Sequence, residues 1–128
     1  MPFINIKTNV KKDEIVKEKI VNKVLENTSN ILHKDPKVTS ILVEFVPFEL
    51  WSIDTQNQNT FYIDIKITKG TNTKEEKAQY IKKTYEDLKE ILGDISPASY
   101  VLIDEVDGSS WGFDGITQEY RYIQSKIK

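Results

Sequence analysis

Phe61-Tyr62-Ile63-Asp64-Ile65-Lys66 repeats Pro2-Phe3-Ile4-Asn5-Ile6-Lys7 at an offset of 59 residues. In both copies apolar and polar residues alternate at period two, so the isoleucines share one face of a strand and the polar side chains share the other. The helical pattern after each strand also recurs. Asp13 opens a helical stretch with Val16, Ile20 and Val24 on one face, flanked by Val21, Leu25 and Leu32. Asp35-Pro36 closes it, because the residue before a proline is driven out of the helical region. In the second copy Thr73 and Glu76 have the spacing of a capping box. Ala78, Ile81, Tyr85, Leu88 and Leu92 then form a stripe, and Gly93 stands where a helix ends. Thr39–Phe45 and Ser99–Glu105 read as the second strand of each unit, and Trp111 falls 60 residues after Trp51.

Strands joined by a helical crossover pair parallel, with a right-handed connection. Two such units predict an α/β fold: a duplicated β-α-β with a four-stranded mixed sheet and two helices on one face. The 128 residues form a single domain, 1–128, with internal repeats over 2–53 and 61–113, a polar connector over 54–60 and a C-terminal tail over 114–128. Ile4, Ile6, Ile63 and Ile65 are expected under the helices. Leu42, Tyr100 and Leu102 leave the opposite face partly apolar, which predicts an oligomer that covers it. Tyr120, Tyr122 and Ile123 of the tail are expected to pack on a neighbour.

Composition removes several chemistries. With no cysteine there is no disulfide, thiol nucleophile or thiolate metal site. One histidine (His33) and one arginine (Arg121) leave little for a Ser-His-Asp triad, a zinc site or an arginine clamp. A net charge of −2 gives no pull toward nucleic acid or an anionic membrane. Uncharged runs are too short to span a bilayer, and the N-terminus lacks a signal-peptide pattern, so the expected location is cytoplasmic. Asp104, Glu105 and Asp107 lack the alternate-residue spacing of a calcium loop, and no metal site is expected.

A Met1-Pro2 start before a strand, followed by a duplicated β-α-β, resembles the tautomerase superfamily. The Gly70-Thr71-Asn72-Thr73 turn with its Lys74-Glu75-Glu76-Lys77 helix start, Ile95-Ser96-Pro97 before a strand, and Glu105 through Trp111-Gly112-Phe113 add to the likeness. Length and spacing look most like the malonate semialdehyde decarboxylase branch, in which two halves are fused. The resemblance implies an amino-terminal proline, Pro2 after loss of Met1, acting as general acid/base on a small oxo or enol acid. It implies keto–enol tautomerisation first, decarboxylation or hydration second, with no cofactor and a homotrimeric assembly. Lys12 stands where the tautomerase turn carries arginine, and Lys69-Gly70-Thr71-Asn72 replaces an arginine-containing stretch. The decarboxylase acid falls near Val38 or Thr39. Substrate binding is therefore assigned to Lys12 and Lys69, against an aromatic wall of Trp111, Phe113 and Tyr120. The alternative is a catalytically inactive trimeric binding or scaffold protein of the same fold. Trp51 reads as structural, His33 as a residue compensating a helix C-terminus, and Arg121 as a surface or interface residue.

Overall fold

In the computed structural model, which describes residues 2–127, the strand–helix–strand pattern is built twice. The first unit is β1 (Phe3–Thr8), α1 (Glu14–Asn30) and β2 (Ser40–Phe45), extended by a hairpin of β3 (Ser52–Ile53) and β4 (Gln56–Asn57). The second is β5 (Phe61–Thr68), α2 (Lys74–Leu92) and β6 (Tyr100–Val106), extended by β7 (Gly112–Phe113) and β8 (Ile116–Thr117). A short helix, α3 (Gln118–Lys126), is the last element among the described residues. The main sheet has the order β2-β1-β5-β6, parallel within each unit and antiparallel where the units meet. This is the duplicated β-α-β architecture with a four-stranded mixed sheet expected from the repeat.

Local chemistry sets the helix ends. The Asp13 carboxylate accepts from the Ile15 and Val16 N–H groups, satisfying donors that the first turn of α1 leaves open. Thr73 and Glu76 form a complete capping box on α2, which stops at Gly93 with φ of 89°. The register pairs Ile4 with Ile65 and Ile6 with Ile63, so four isoleucines form a continuous patch under both helices. Each is fully buried, as are Ile20, Val24 and Leu88. Burial of one such side chain stabilises the fold by about 1.5–3 kcal/mol.

One expectation changes. The stripe on α2 is rotated: Tyr80, Thr84, Asp87 and Leu88 are buried, whereas Ala78 and Ile81 are exposed. A hydrophobic count overlooks this face because polar groups form much of it. The Tyr80 hydroxyl lies 2.8 Å from Thr28 Oγ1, and Asn27 Nδ2 donates to Asp87 Oδ2 at 2.9 Å. These bonds let a polar seam be buried between α1 and α2. The 54–60 connector is in part structured, since β4 lies within it and Thr60 is buried. The 114–128 tail likewise contains β8 and α3. Asp54 and Asp114 share a left-handed turn conformation (φ 59° and 55°), so the duplication runs on through the hairpins.

Candidate active site

β1 and β5 run antiparallel with Phe3 opposite Lys66, so Pro2 falls at the sheet end where β5 runs into Thr68 and Lys69. Pro2 is buried, and its carbonyl accepts from Ser40 N–H at 3.2 Å. Beside this end lies a cavity of about 540 Å³, within the size range of small-molecule sites. Its floor is Thr68, Lys69, Gly70 and Thr71, and its rim takes Lys34 from the loop after α1 and Arg121 and Tyr122 from α3.

Short polar links hold these walls. Trp111 Nε1 donates to Thr68 Oγ1 at 3.2 Å. Thr71 Oγ1 donates to the Thr68 carbonyl at 2.6 Å and accepts from Lys34 Nζ at 2.7 Å. α3 is docked through its own N-terminal amides: Gln118 N–H reaches the Trp111 carbonyl, and Glu119 N–H reaches the Gly108 carbonyl, both at 2.9 Å. Arg121 Nη2 donates to the Phe113 carbonyl at 2.9 Å, and its guanidinium carbon stacks 3.8 Å from the Phe113 ring centroid. Nε is buried with no acceptor, a cost that this cation–π contact offsets.

Burial pulls the Lys34 ammonium below its usual pKa, while Glu76 and Glu105 pull it back up. Both carboxylates are themselves engaged. Glu105 sits below the usual carboxylate range chiefly because Lys77 bonds it at 2.8 Å. Glu76 is lowered chiefly by the Thr73 backbone N–H of the capping box, and His33 Nε2 meets its other oxygen at 3.2 Å. His33 therefore does not compensate α1; it lies beyond the helix end at φ 59° and pairs across to α2.

The candidate residues from sequence divide into two groups. Lys69 lines the cavity, Trp111 braces its floor and Phe113 carries Arg121. Tyr120 is 53% exposed and absent from the cavity wall; on α3 the inward positions are Gln118, Arg121, Tyr122 and Ser125, so the tyrosine facing the cavity is Tyr122. Lys12 lies at the other end of β1, in a separate cleft with Phe45, Pro47 and Phe48. Lys34 carries no signal in the sequence, because only the fold brings the loop after α1 against Thr71. Arg121 has one available signal: Gln118, Arg121, Tyr122 and Ser125 have helical i, i+3, i+4, i+7 spacing.

The tautomerase family model, described as "Tautomerase enzyme", matches residues 62–118, the second unit up to the start of α3. No curated protein matches in sequence. Among solved structures, Pt0534 inactivated by 2-oxo-3-pentynoate is similar with a TM-score of 0.86 at 12% identity, covering 93% of this chain and 98% of that one. A fused 4-OT, solved as an asymmetric trimer, gives 0.84 at 14%, covering 93% and 98%. The macrophage migration inhibitory factor-like protein of Entamoeba histolytica gives 0.78 at 20%, covering 91% and 97%. At these identities the structural likeness establishes the fold. The family model adds a sequence likeness confined to the second unit.

Proposed function

We propose that this chain is a tautomerase-superfamily enzyme in which Pro2, freed by removal of Met1, is the general acid/base for keto–enol tautomerisation of a small oxo or enol acid. Met1 lies outside the described residues. The observation that carries the reading is the burial of Pro2 at the sheet end that borders the cation-lined cavity. An α-amino group titrates at about 7.7–8.0, and burial near cations disfavours its charged form, which brings a secondary amine toward neutral pH. In that state the Pro2 nitrogen takes the enol hydroxyl proton and returns a proton to the adjacent carbon. The O–H bonding pair becomes the C=O π bond, the C=C π pair forms the new C–H bond, and no electrons leave the system.

Lys69 supplies positive charge to the cavity that receives the substrate carboxylate, with Trp111 and Phe113 bracing its apolar side. Tyr120 and Lys12 face away from this cavity within one chain, so each serves it only from another subunit of a homotrimer. The solved trimers of fused 4-OT support that assembly. Tautomerisation stands ahead of malonate semialdehyde-type decarboxylation because Lys69-Gly70-Thr71-Asn72 lacks the arginines of that branch. The reaction needs no cofactor, nucleic acid or membrane partner, and among the described residues no helix is long and apolar enough to cross a bilayer.

Replacing Pro2 by alanine should lower ketonisation of phenylenolpyruvate by about 10²–10⁴-fold, the usual worth of a positioned acid/base, with the circular dichroism spectrum unchanged. An unaffected rate overturns the assignment. The second reading, an inactive trimeric scaffold, is favoured by the loss of arginine at Lys12 and Thr71 and by the factor-like neighbours. Intact mass of the protein from its native cell separates the two: retained Met1 leaves Pro2 an amide and favours the scaffold.

A further inference from the structure

Among the described residues, the non-glycine positions with positive φ are His33, Asp54 and Asp114. The two aspartates sit at the tips of the hairpins, where a left-handed residue is ordinary. His33 belongs to no hairpin. It lies in the loop after α1, and the 60-residue offset that relates Trp51 to Trp111 relates it to Gly93. Gly93 takes its φ of 89° freely, whereas His33 holds 59° against the strain of its own Cβ. Such strain persists only where the surroundings over-determine it. Several bonds do so. Asn72 Nδ2 donates to the Leu32 carbonyl at 3.0 Å and to Glu76 Oε1 at 3.1 Å. Lys34 Nζ donates to Thr71 Oγ1 at 2.7 Å, and Lys34 N–H reaches the Thr28 carbonyl at 3.3 Å. The left-handed turn sends the imidazole across to α2, where Nε2 meets Glu76 Oε2 at 3.2 Å.

His33 is the single histidine of the chain, and histidine is the side chain whose charge ordinarily changes between pH 5 and 8. Glu76 stays ionised over that range, because the Thr73 N–H and then Asn72 hold it below the usual carboxylate value. The other charged groups at this corner are Lys34 and Asp35 on the same loop, Lys69 before α2, Lys77 on α2 and Glu105 on β6. Asp35 accepts from the Lys37 N–H, and Lys77 and Glu105 pair at 2.8 Å. Among the described residues no second carboxylate lies within ion-pair distance of His33. We propose that His33 and Glu76 form a pH-sensitive latch: the protonated imidazole fastens the loop after α1 to the start of α2, and loss of the proton loosens it. The fastened state belongs to the acid side, since only the imidazolium attracts the carboxylate. Glu76 Oε1 keeps the Thr73 N–H and Asn72 in both states, so α2 stays capped. The loop carries Lys34 to the cavity rim, and the latch thereby sets how firmly the mouth of the cavity is formed. Its consequence for turnover rests on the enol-acid reading proposed above; the latch itself does not.

The Asn72 side-chain amide touches both sides of the latch, so the test follows it by NMR in the full chain from pH 5 to pH 8. Two variants fix the charge. His33→Lys keeps a cation throughout, and His33→Asn is neutral and tolerates a left-handed backbone. In the unsubstituted protein the signal should move with pH, away from the His33→Lys value and toward the His33→Asn value. Both variants should stay flat. An exposed ion pair changes such an equilibrium by up to about fivefold. KM for phenylenolpyruvate, relative to His33→Lys, should therefore rise by up to about fivefold from pH 5 to pH 8, with the kcat ratio constant. The comparison cancels the titration of Pro2, which both proteins share. A flat Asn72 signal in the unsubstituted protein, a His33→Asn signal that still titrates, or a KM ratio indifferent to pH overturns the proposal. A titrating Asn72 signal with no ketonisation in any of the three proteins defeats the proposed reaction and leaves the latch standing.

Discussion

Asp87 is buried on α2 and still ionised at neutral pH. Burial is the largest single influence and raises its pKa, but Lys83 Nζ at 2.7 and 2.8 Å and Asn27 Nδ2 at 2.9 Å outweigh it and leave the net value below the ordinary 3.8. A carboxylate whose native pKa is depressed adds stability that is complete above its unfolded value and lost as pH falls through the native one. Asp87→Asn should therefore lower the melting temperature most at pH 7. The gap to the unsubstituted protein should close as pH drops below about 3.8. Thermal unfolding from pH 7 to pH 3 measures it, and a constant gap shows that the ionised form contributes nothing. The same residue shows why part of the molecule is illegible in sequence. Asn27, Thr84 and Asp87 occupy core positions as polar groups satisfied by one another, so apolar periodicity passes over them. Lys34 is hidden for a related reason, since its meaning comes from Thr71, 37 residues away.

At the scale of elements, β1, α1, β5 and α2 are legible because each carries its own period, cap or breaker. α3 is not. None of its residues is buried, and Tyr122 and Ile123 remain exposed, so no core-facing stripe marks it. It is held instead by backbone acceptors on Trp111 and Gly108, by the Thr117 hydroxyl and by Arg121 on Phe113. The hairpin of β7 and β8 brings those acceptors together, and it closes only over glycine: a Cβ at Gly112 would meet the Ile116 carbonyl oxygen at 2.0 Å. Gly112→Ala must therefore displace β8 and the helix beyond it. Because α3 supplies nothing to the core, the sheet and its two long helices should stay folded. The expected outcome is roughly a tenfold or greater loss of phenylenolpyruvate turnover, with far-ultraviolet dichroism nearly unchanged. Full activity in this variant would mean that α3 is not part of the site.

At the scale of the whole molecule, the two faces of the sheet have opposite characters. The helix-covered face is closed by fully buried isoleucines, while on the other Phe3, Leu42, Tyr100 and Leu102 are 41%, 48%, 66% and 44% exposed. These four lie near the parallel pairs at the two edges, and between them run the links Lys7–Glu44, Asn5–Glu44 and Lys66–Asp104. An outward sheet face that carries exposed apolar side chains beside ordered polar links has the mixed make-up of a subunit interface. The alternation that makes these residues readable as strands also predicts which of them face outward, so this surface is visible in the sequence; its occupant is not. If the face is covered by two further copies, as the proposed homotrimer requires, light scattering should give about three times 14.8 kDa. Leu102→Asp places a carboxylate two residues before Asp104, on the same face of β6. In an isolated chain that site is half open to water, so the substitution should change the monomer's stability little. Across an interface it desolvates an unpaired charge and should shift the protein to 14.8 kDa with its secondary structure intact. A monomeric parent, or a trimer that tolerates this charge, removes the open face from the assembly.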